Sequence, residues 1–184
     1  MPKQILIRGL VTIKQGNKII VKEALNHWVD NGLKGILSTI ISTYAKGAIW
    51  YLWGNSWNIY LGSDTSTTTT PGMTSLVAPI GAAPGTAPNS KSITVTTDEA
   101  NGIFKATFIA TWNAGTVSGT VGELALYMKA PARTSFGWDV YPNDYNPSVV
   151  MISRLSSADG DFSSFIIDET KPLTVEWTVQ FSFV

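Results

Sequence analysis

Leu173-Thr174-Val175-Glu176-Trp177-Thr178-Val179-Gln180-Phe181-Ser182 alternates without a break. Leu173, Val175, Trp177, Val179 and Phe181 fall on one side of an extended chain, and Thr174, Glu176, Thr178, Gln180 and Ser182 on the other. A period of two over this length predicts a β-strand with one buried face. Five apolar side chains at roughly 2 kcal/mol each amount to about 10 kcal/mol of burial, an upper figure because an unfolded chain is not fully extended. The rest of the chain is expected to pack around this strand.

Working back from it, Phe104, Ala106, Phe108, Ala110 and Trp112 alternate with Lys105, Thr107, Ile109 and Thr111. They follow Asn101-Gly102, a strong hairpin signal after the extended run Lys91 to Thr97. Their small-large face is expected to interlock with the large side chains of the last strand. Residues 121 to 128 form another strand, with Leu124, Leu126 and Met128 on one face and Glu123, Ala125 and Tyr127 on the other. Residues 149 to 155 and 162 to 167 read as strands, separated by a glycine-containing turn at 156 to 161. Near the start, Ile5 to Leu25 reads as a hairpin around Gln15-Gly16-Asn17. Residues 48 to 61 read as two strands or one bent strand, and 62 to 90 as irregular chain with a threonine run, Thr67 to Thr70.

One helix is expected. Leu33, Ile36, Leu37, Ile40, Ile41 and Tyr44 share a face at helical spacing, so an amphipathic helix is placed at residues 31–46. Short strands with frequent turn signals predict a mainly β, antiparallel β-sandwich or small barrel of about 8–10 strands. Residues 1–184 are read as one such domain. A long aromatic and proline-rich excursion interrupts it at 129–148, and a loop of that length is usually functional or docked.

Composition narrows function. The 184 residues carry no net charge and only 14% are charged. A nucleic-acid surface needs an excess of Lys and Arg, so none is expected. There are no cysteines, which excludes disulfides and thiolate metal sites. Met1-Pro2-Lys3-Gln4-Ile5 lacks the apolar run of a secretory signal, and no apolar stretch approaches the roughly 18 residues of a membrane helix. Seven Trp, seven Phe and six Tyr in so weakly charged a chain suggest surface covered by partners, with the chain itself as the first.

Few residues of the chain suggest chemistry. His27 is the only histidine and stands beside Trp28 with no nucleophile-elbow pattern, so it is read as a structural or solvated side chain. Asp159-Gly160-Asp161 lacks the alternating ligands of a calcium loop and is read as a turn. Glu99, Glu123, Asp139, Asp144 and Glu176 are acids by type, but no spacing pairs them for glycoside hydrolysis. No catalytic residue, cofactor or metal is expected. Phe136, Trp138, Tyr141 and Tyr145 are read as a protein interface. Glu176 joins them, because the polar side of the last strand carries only this charge. Trp50, Trp53 and Trp57 are read as core or subunit contacts, with a glycan platform as the alternative.

Four stretches then read together: Asn26 to Leu33 with the apolar run after it; Leu61-Gly62-Ser63-Asp64-Thr65 with its threonine loop; Glu123 to Tyr127; and Ser153-Arg154-Leu155 followed by Phe162, Phe165 and Pro172 to Trp177. In this order they resemble a group of small β-rich virion structural proteins of tailed phages and related prokaryotic viruses. Ala125, where glycine is common, and the 129–150 insertion depart from that pattern. The resemblance implies a non-enzymatic assembly component located in the virion, a homo-oligomer contacting other virion proteins in the tail, tail tip, head–tail junction or capsid decoration. The alternative is a carbohydrate- or receptor-binding module that recognises a host-surface glycan.

Overall fold

The computed structural model describes residues 5–29, 57–129 and 149–183. The protein is mainly β. In chain order the strands are β1 (Ile5–Gln15), β2 (Lys18–Leu25), β3 (His27–Trp28), β4 (Trp57–Gly62), β5 (Ser90–Asp98), β6 (Ile103–Trp112), β7 (Thr120–Val121), β8 (Glu123–Lys129), β9 (Val149–Ser156), β10 (Phe165–Ile166) and β11 (Leu173–Phe183). A first sheet has the order β2-β1-β11-β6-β5 and a second the order β3-β9-β8-β4; β10 and β7 form a small ribbon. Every pairing is antiparallel.

The alternation of β11 is realised as far as Gln180: Leu173, Val175, Trp177 and Val179 are buried, while Thr174, Glu176, Thr178 and Gln180 are half-buried on the other face; beyond it Phe181 is half-buried and Ser182 buried. The small-large face of β6 meets β11 edge to edge, in the same sheet. Trp112 lies opposite Leu173, Ala110 opposite Val175, Phe108 opposite Trp177 and Ala106 opposite Val179. The other neighbour of β11 is β1, paired from Ile5↔Phe183 to Gln15↔Leu173. Both expected hairpins form, with Gly16 (φ 55°) and Gly102 (φ 62°) in the left-handed region of their turns.

Inner-face residues of both sheets make one core. Val11, Ile13, Phe108, Trp112, Val175 and Trp177 from the first sheet join Trp57, Ile59, Leu61, Leu124, Leu126 and Leu155 from the second. Trp57 and Phe108 meet edge to face, with ring centroids 5.2 Å apart. This layering is compatible with a β-sandwich.

The chain passes from the first sheet to the second at Asn26, between β2 and β3. Oriented to satisfy its neighbours, the Asn26 amide accepts from Trp177 Nε1 (2.9 Å) and Ser153 Oγ (3.0 Å) and donates to Gly9 O (2.9 Å). A buried indole N–H needs such an acceptor. Gly9 makes the space: a Cβ there would lie 1.7 Å from the Asn26 side-chain amide.

Some expectations need correction. Eleven strands are found among the described residues, more than the 8–10 expected, partly because two-residue strands occur. The run from residue 121 to 128 is also divided at Gly122, where a Cβ would lie 2.3 Å from Asp64 O. The 162–167 run contracts to Phe165–Ile166. The helix expected at 31–46 is not borne out, since those residues lie outside the described ones. Among the described residues the only helical turn is a 3₁₀ turn, Ser157–Asp159. Of the excursion expected at 129–148, Lys129 ends β8 and residues 130–148 lie outside the described ones.

Asn26→Ala should unfold at lower denaturant than the wild type, by about 1–3 kcal/mol, because it leaves buried donors unsatisfied. Urea titration followed by tryptophan fluorescence measures this; an unchanged midpoint would show that the crossing residue is dispensable.

Candidate functional site

The outer face of the second sheet holds a buried cluster of charged and polar side chains. Alternation along β8 puts Glu123, Ala125 and Tyr127 on this face. Cross-strand register then lines up His27, Arg154, Ala125 and Tyr60 in one row across β3, β9, β8 and β4. Ala125 is the small member of that row, beside the long Arg154 side chain.

Arg154 and Glu123 are both completely buried. Arg154 Nε donates to Glu123 Oε2 at 2.9 Å, and its Nη2 lies 2.7 Å from the same oxygen. Nη2 also approaches Asp64 Oδ2 at 3.3 Å. Nη1 donates to Thr67 O at 2.8 Å and to Thr69 Oγ1 at 3.1 Å. The other Glu123 oxygen accepts from Ala78 N at 2.8 Å. Arg154 is therefore engaged along its whole fork, and most of its partners come from the loop between β4 and β5. Tyr127 holds the same loop further along, its hydroxyl accepting from Leu76 N at 2.9 Å. Leu76 packs beneath with Val29, Tyr60, Ala125, Tyr127 and Met151. Burial raises the phenol pKa values of Tyr127 and Tyr60 above the ordinary range.

The cluster continues toward solvent. Asp159, at the 3₁₀ turn, accepts from Thr69 N (2.9 Å) and from Thr69 Oγ1. Asp161 Oδ2 accepts from Ser156 N at 3.2 Å, and its Oδ1 lies 3.3 Å from His27 Nε2. His27, Asp159 and Asp161 bring three potential metal-ligating atoms within 4.8 Å of one another. Both Asp159 oxygens are already taken up by Thr69, so the group reads as the solvent-side end of one clamp. Burial raises the Asp161 carboxyl pKa, against the lowering effects of the Ser156 amide and His27. Burial also pushes Asp64 upward, but hydrogen bonds from Thr67 and Ser66 together outweigh it, and the Asp64 pKa lies below the ordinary range.

Chemically this arrangement fastens a loop. A buried ion pair is satisfied on both sides by hydrogen bonds, and its acids and its base are held in fixed, occupied geometry. The sequence-derived candidates lie elsewhere. Glu176 is half-buried on the outer face of β11 and forms an ion pair with Lys14 of β1. Trp57 is in the core at 2% exposure, in line with a core reading, and has no ring face open to a sugar. Trp50, Trp53, Phe136, Trp138, Tyr141 and Tyr145 lie outside the described residues. His27 is half-exposed, with its Nε2 beside Asp161 Oδ1. Asp159 and Asp161 sit in the expected turn but also tie the loop and β3 to it. The sequence motifs include Arg154 and Asp64, and the threonine run includes Thr67 and Thr69, but none of the four was expected to have a role in a site. The available signal was one arginine inside the apolar run of β9, a residue that in a buried strand requires a carboxylate partner.

No family model matches the chain, and searches of curated proteins and of solved structures give no match.

Arg154→Met should destabilise the protein by roughly 3–5 kcal/mol, since Glu123 is left as a buried unpaired charge. Adding Glu123→Leu should recover much of the loss, as read by denaturant unfolding; no recovery would show that the cost does not come from the stranded carboxylate. The pH response has a defined sign. Asp64 has a folded pKa below its unfolded one, so its stabilisation is present above the ordinary carboxylate pKa and disappears as pH falls through the lower, folded value. Amide exchange at Ser66 and Thr67 should accelerate in that acid window, relative to the exchange expected from pH alone, before the core amides of β11 do.

Proposed function

We propose that this chain is a β-sandwich serving as a non-enzymatic structural protein of a virion, of the tailed-phage or related prokaryotic-virus type, and that it assembles with copies of itself and with other virion proteins. The observation that carries the reading is the outer face of the first sheet. It is broad, and its charges, Arg8, Lys14, Lys105, Glu176 and Asp98, are of mixed sign and set among uncharged residues. Thr107 and Thr178 pair their hydroxyls at 2.9 Å across β6 and β11, and Thr111 and Thr174 do so at 3.1 Å. Ile109 stands between these rows, opposite Glu176, and Glu176 is matched by Lys14. On the β1 side, Leu10 lies opposite Leu25, which is 60% exposed. A surface of this kind, low in net charge with apolar residues among short hydroxyl side chains, suits subunit packing. The ordered motifs support the virion setting. Their residues Asn26, Asp64, Glu123, Arg154 and Trp177 are the ones that join the two sheets or clamp the threonine loop, as expected of a motif set that specifies a scaffold.

Glu176→Lys tests the face. It exchanges a half-exposed ion pair for two like charges, so the monomer should stay folded with a stability loss of about 1 kcal/mol or less. Sedimentation velocity should show smaller species than the wild type. A mass-spectrometric census of purified particles tests the setting. A protein that is monomeric at every concentration and missing from particles would overturn the proposal.

A further inference from the structure

We infer that β5 is a pairing edge, and that its partner is β5 of a second copy related by a two-fold axis through Thr94. An edge strand's outward N–H and C=O groups invite another strand, and proteins block this with bulges, prolines, lysines or short edges. The two edges of the first sheet differ in this respect. β2 is guarded: its pairing with β1 is broken by two register shifts, Glu23 sits at φ 50°, and Lys18, Lys22 and Glu23 line it. β5 is open. It pairs with β6 through nine consecutive residues without a shift, from Ser90↔Thr111 to Asp98↔Ile103. It contains no proline, and all its residues except Ile93 are exposed, Val95 at 68%. Its one lysine does not guard the edge. Lys91 Nζ donates to Trp57 O at 2.7 Å and to Asn58 Oδ1 at 3.3 Å, and lies 5.4 Å from the Trp57 ring centroid, reaching across to β4.

The choice of a second copy comes from the strand's own sequence, Ser90-Lys91-Ser92-Ile93-Thr94-Val95-Thr96-Thr97-Asp98. An axis perpendicular to the sheet must pass through a residue if inner faces are to continue into inner faces. Thr94 is the central residue, so that axis uses the whole strand. Ile93 then meets the partner's Val95, Ser92 the partner's Thr96, Lys91 the partner's Thr97 and Ser90 the partner's Asp98. The exposed Val95 gains a β-branched neighbour on each copy, and no like charges face each other. The two first sheets continue as one, with isologous contact.

This rests on the self-association in the proposed function, and the test separates the two. Thr94 is exposed, so Thr94→Lys and Thr94→Glu should fold, with unchanged circular dichroism. Each alone puts like charges on the axis and should weaken pairing roughly tenfold or more; an equimolar mixture should restore it, as measured by sedimentation equilibrium. The chain has no cysteine, so Thr94→Cys under mild oxidation should give one disulfide-linked dimer, reporting that contact alone. If the wild type associates while Thr94→Lys leaves association unchanged and Thr94→Cys does not cross-link, the edge inference fails and the virion proposal stands. A wild type that stays monomeric at all concentrations overturns self-association and the edge inference with it.

Discussion

Arg154 carries a permanent positive charge to a place with no solvent exposure, and that is tolerable only if each part of its guanidinium finds an acceptor. The surrounding architecture answers this requirement. Glu123 arrives from the neighbouring strand, and the loop after β4 turns back so that Asp64, the Thr67 carbonyl and the Thr69 hydroxyl reach the same fork. Gly122 lets that loop backbone come close. With the loop held down, Leu76 and Tyr127 can be buried on what would otherwise be a wet face. The second sheet is thereby covered on both sides, with apolar packing inside and a polar clamp outside.

How much of this is legible in the sequence depends on the distance over which each feature is determined. β11, β6 and the two hairpins are written locally, by alternation and by turn residues such as Asn101-Gly102. The place of β11 between β1 and β6 is not local: nothing in residues 173–183 names Ile5–Gln15 as a partner. The clamp is still harder to see. Arg154 joins residues 31 positions away at Glu123 and 85 to 90 positions away at Thr69 and Asp64. Each looks like an ordinary surface polar residue in its own segment. The Thr67 to Thr70 run reads as a linker until its carbonyl and hydroxyl groups are seen as ligands for a guanidinium. The Glu123-Ala125-Tyr127 face held a clue, since it has too little charge for a face meant for water.

Asn26 shows how a weak motif acquires physical meaning. As a sequence feature it precedes His27 and Trp28 and suggests nothing chemical. In the fold it stands where the chain leaves one sheet for the other, and its single amide is shared by β1, β9 and β11. A side chain with both donor and acceptor atoms is needed there, because the indole and the hydroxyl both donate while the Gly9 carbonyl accepts.

The position of β11 also has a consequence in time. It is the central strand of the first sheet, yet it follows the other four strands of that sheet in sequence. During synthesis the β1–β2 and β5–β6 hairpins can close early, from contacts near in sequence. Each must then wait, with one long strand still unpaired, until residues 173–183 emerge to bridge them. Strand insertion between two preformed hairpins is a high-contact-order step, and such steps are slow and leave edges open to other chains. Strand β11 is therefore the last of this sheet's five strands to emerge, and from residue 112 until its arrival the nascent sheet exists as two separate hairpins.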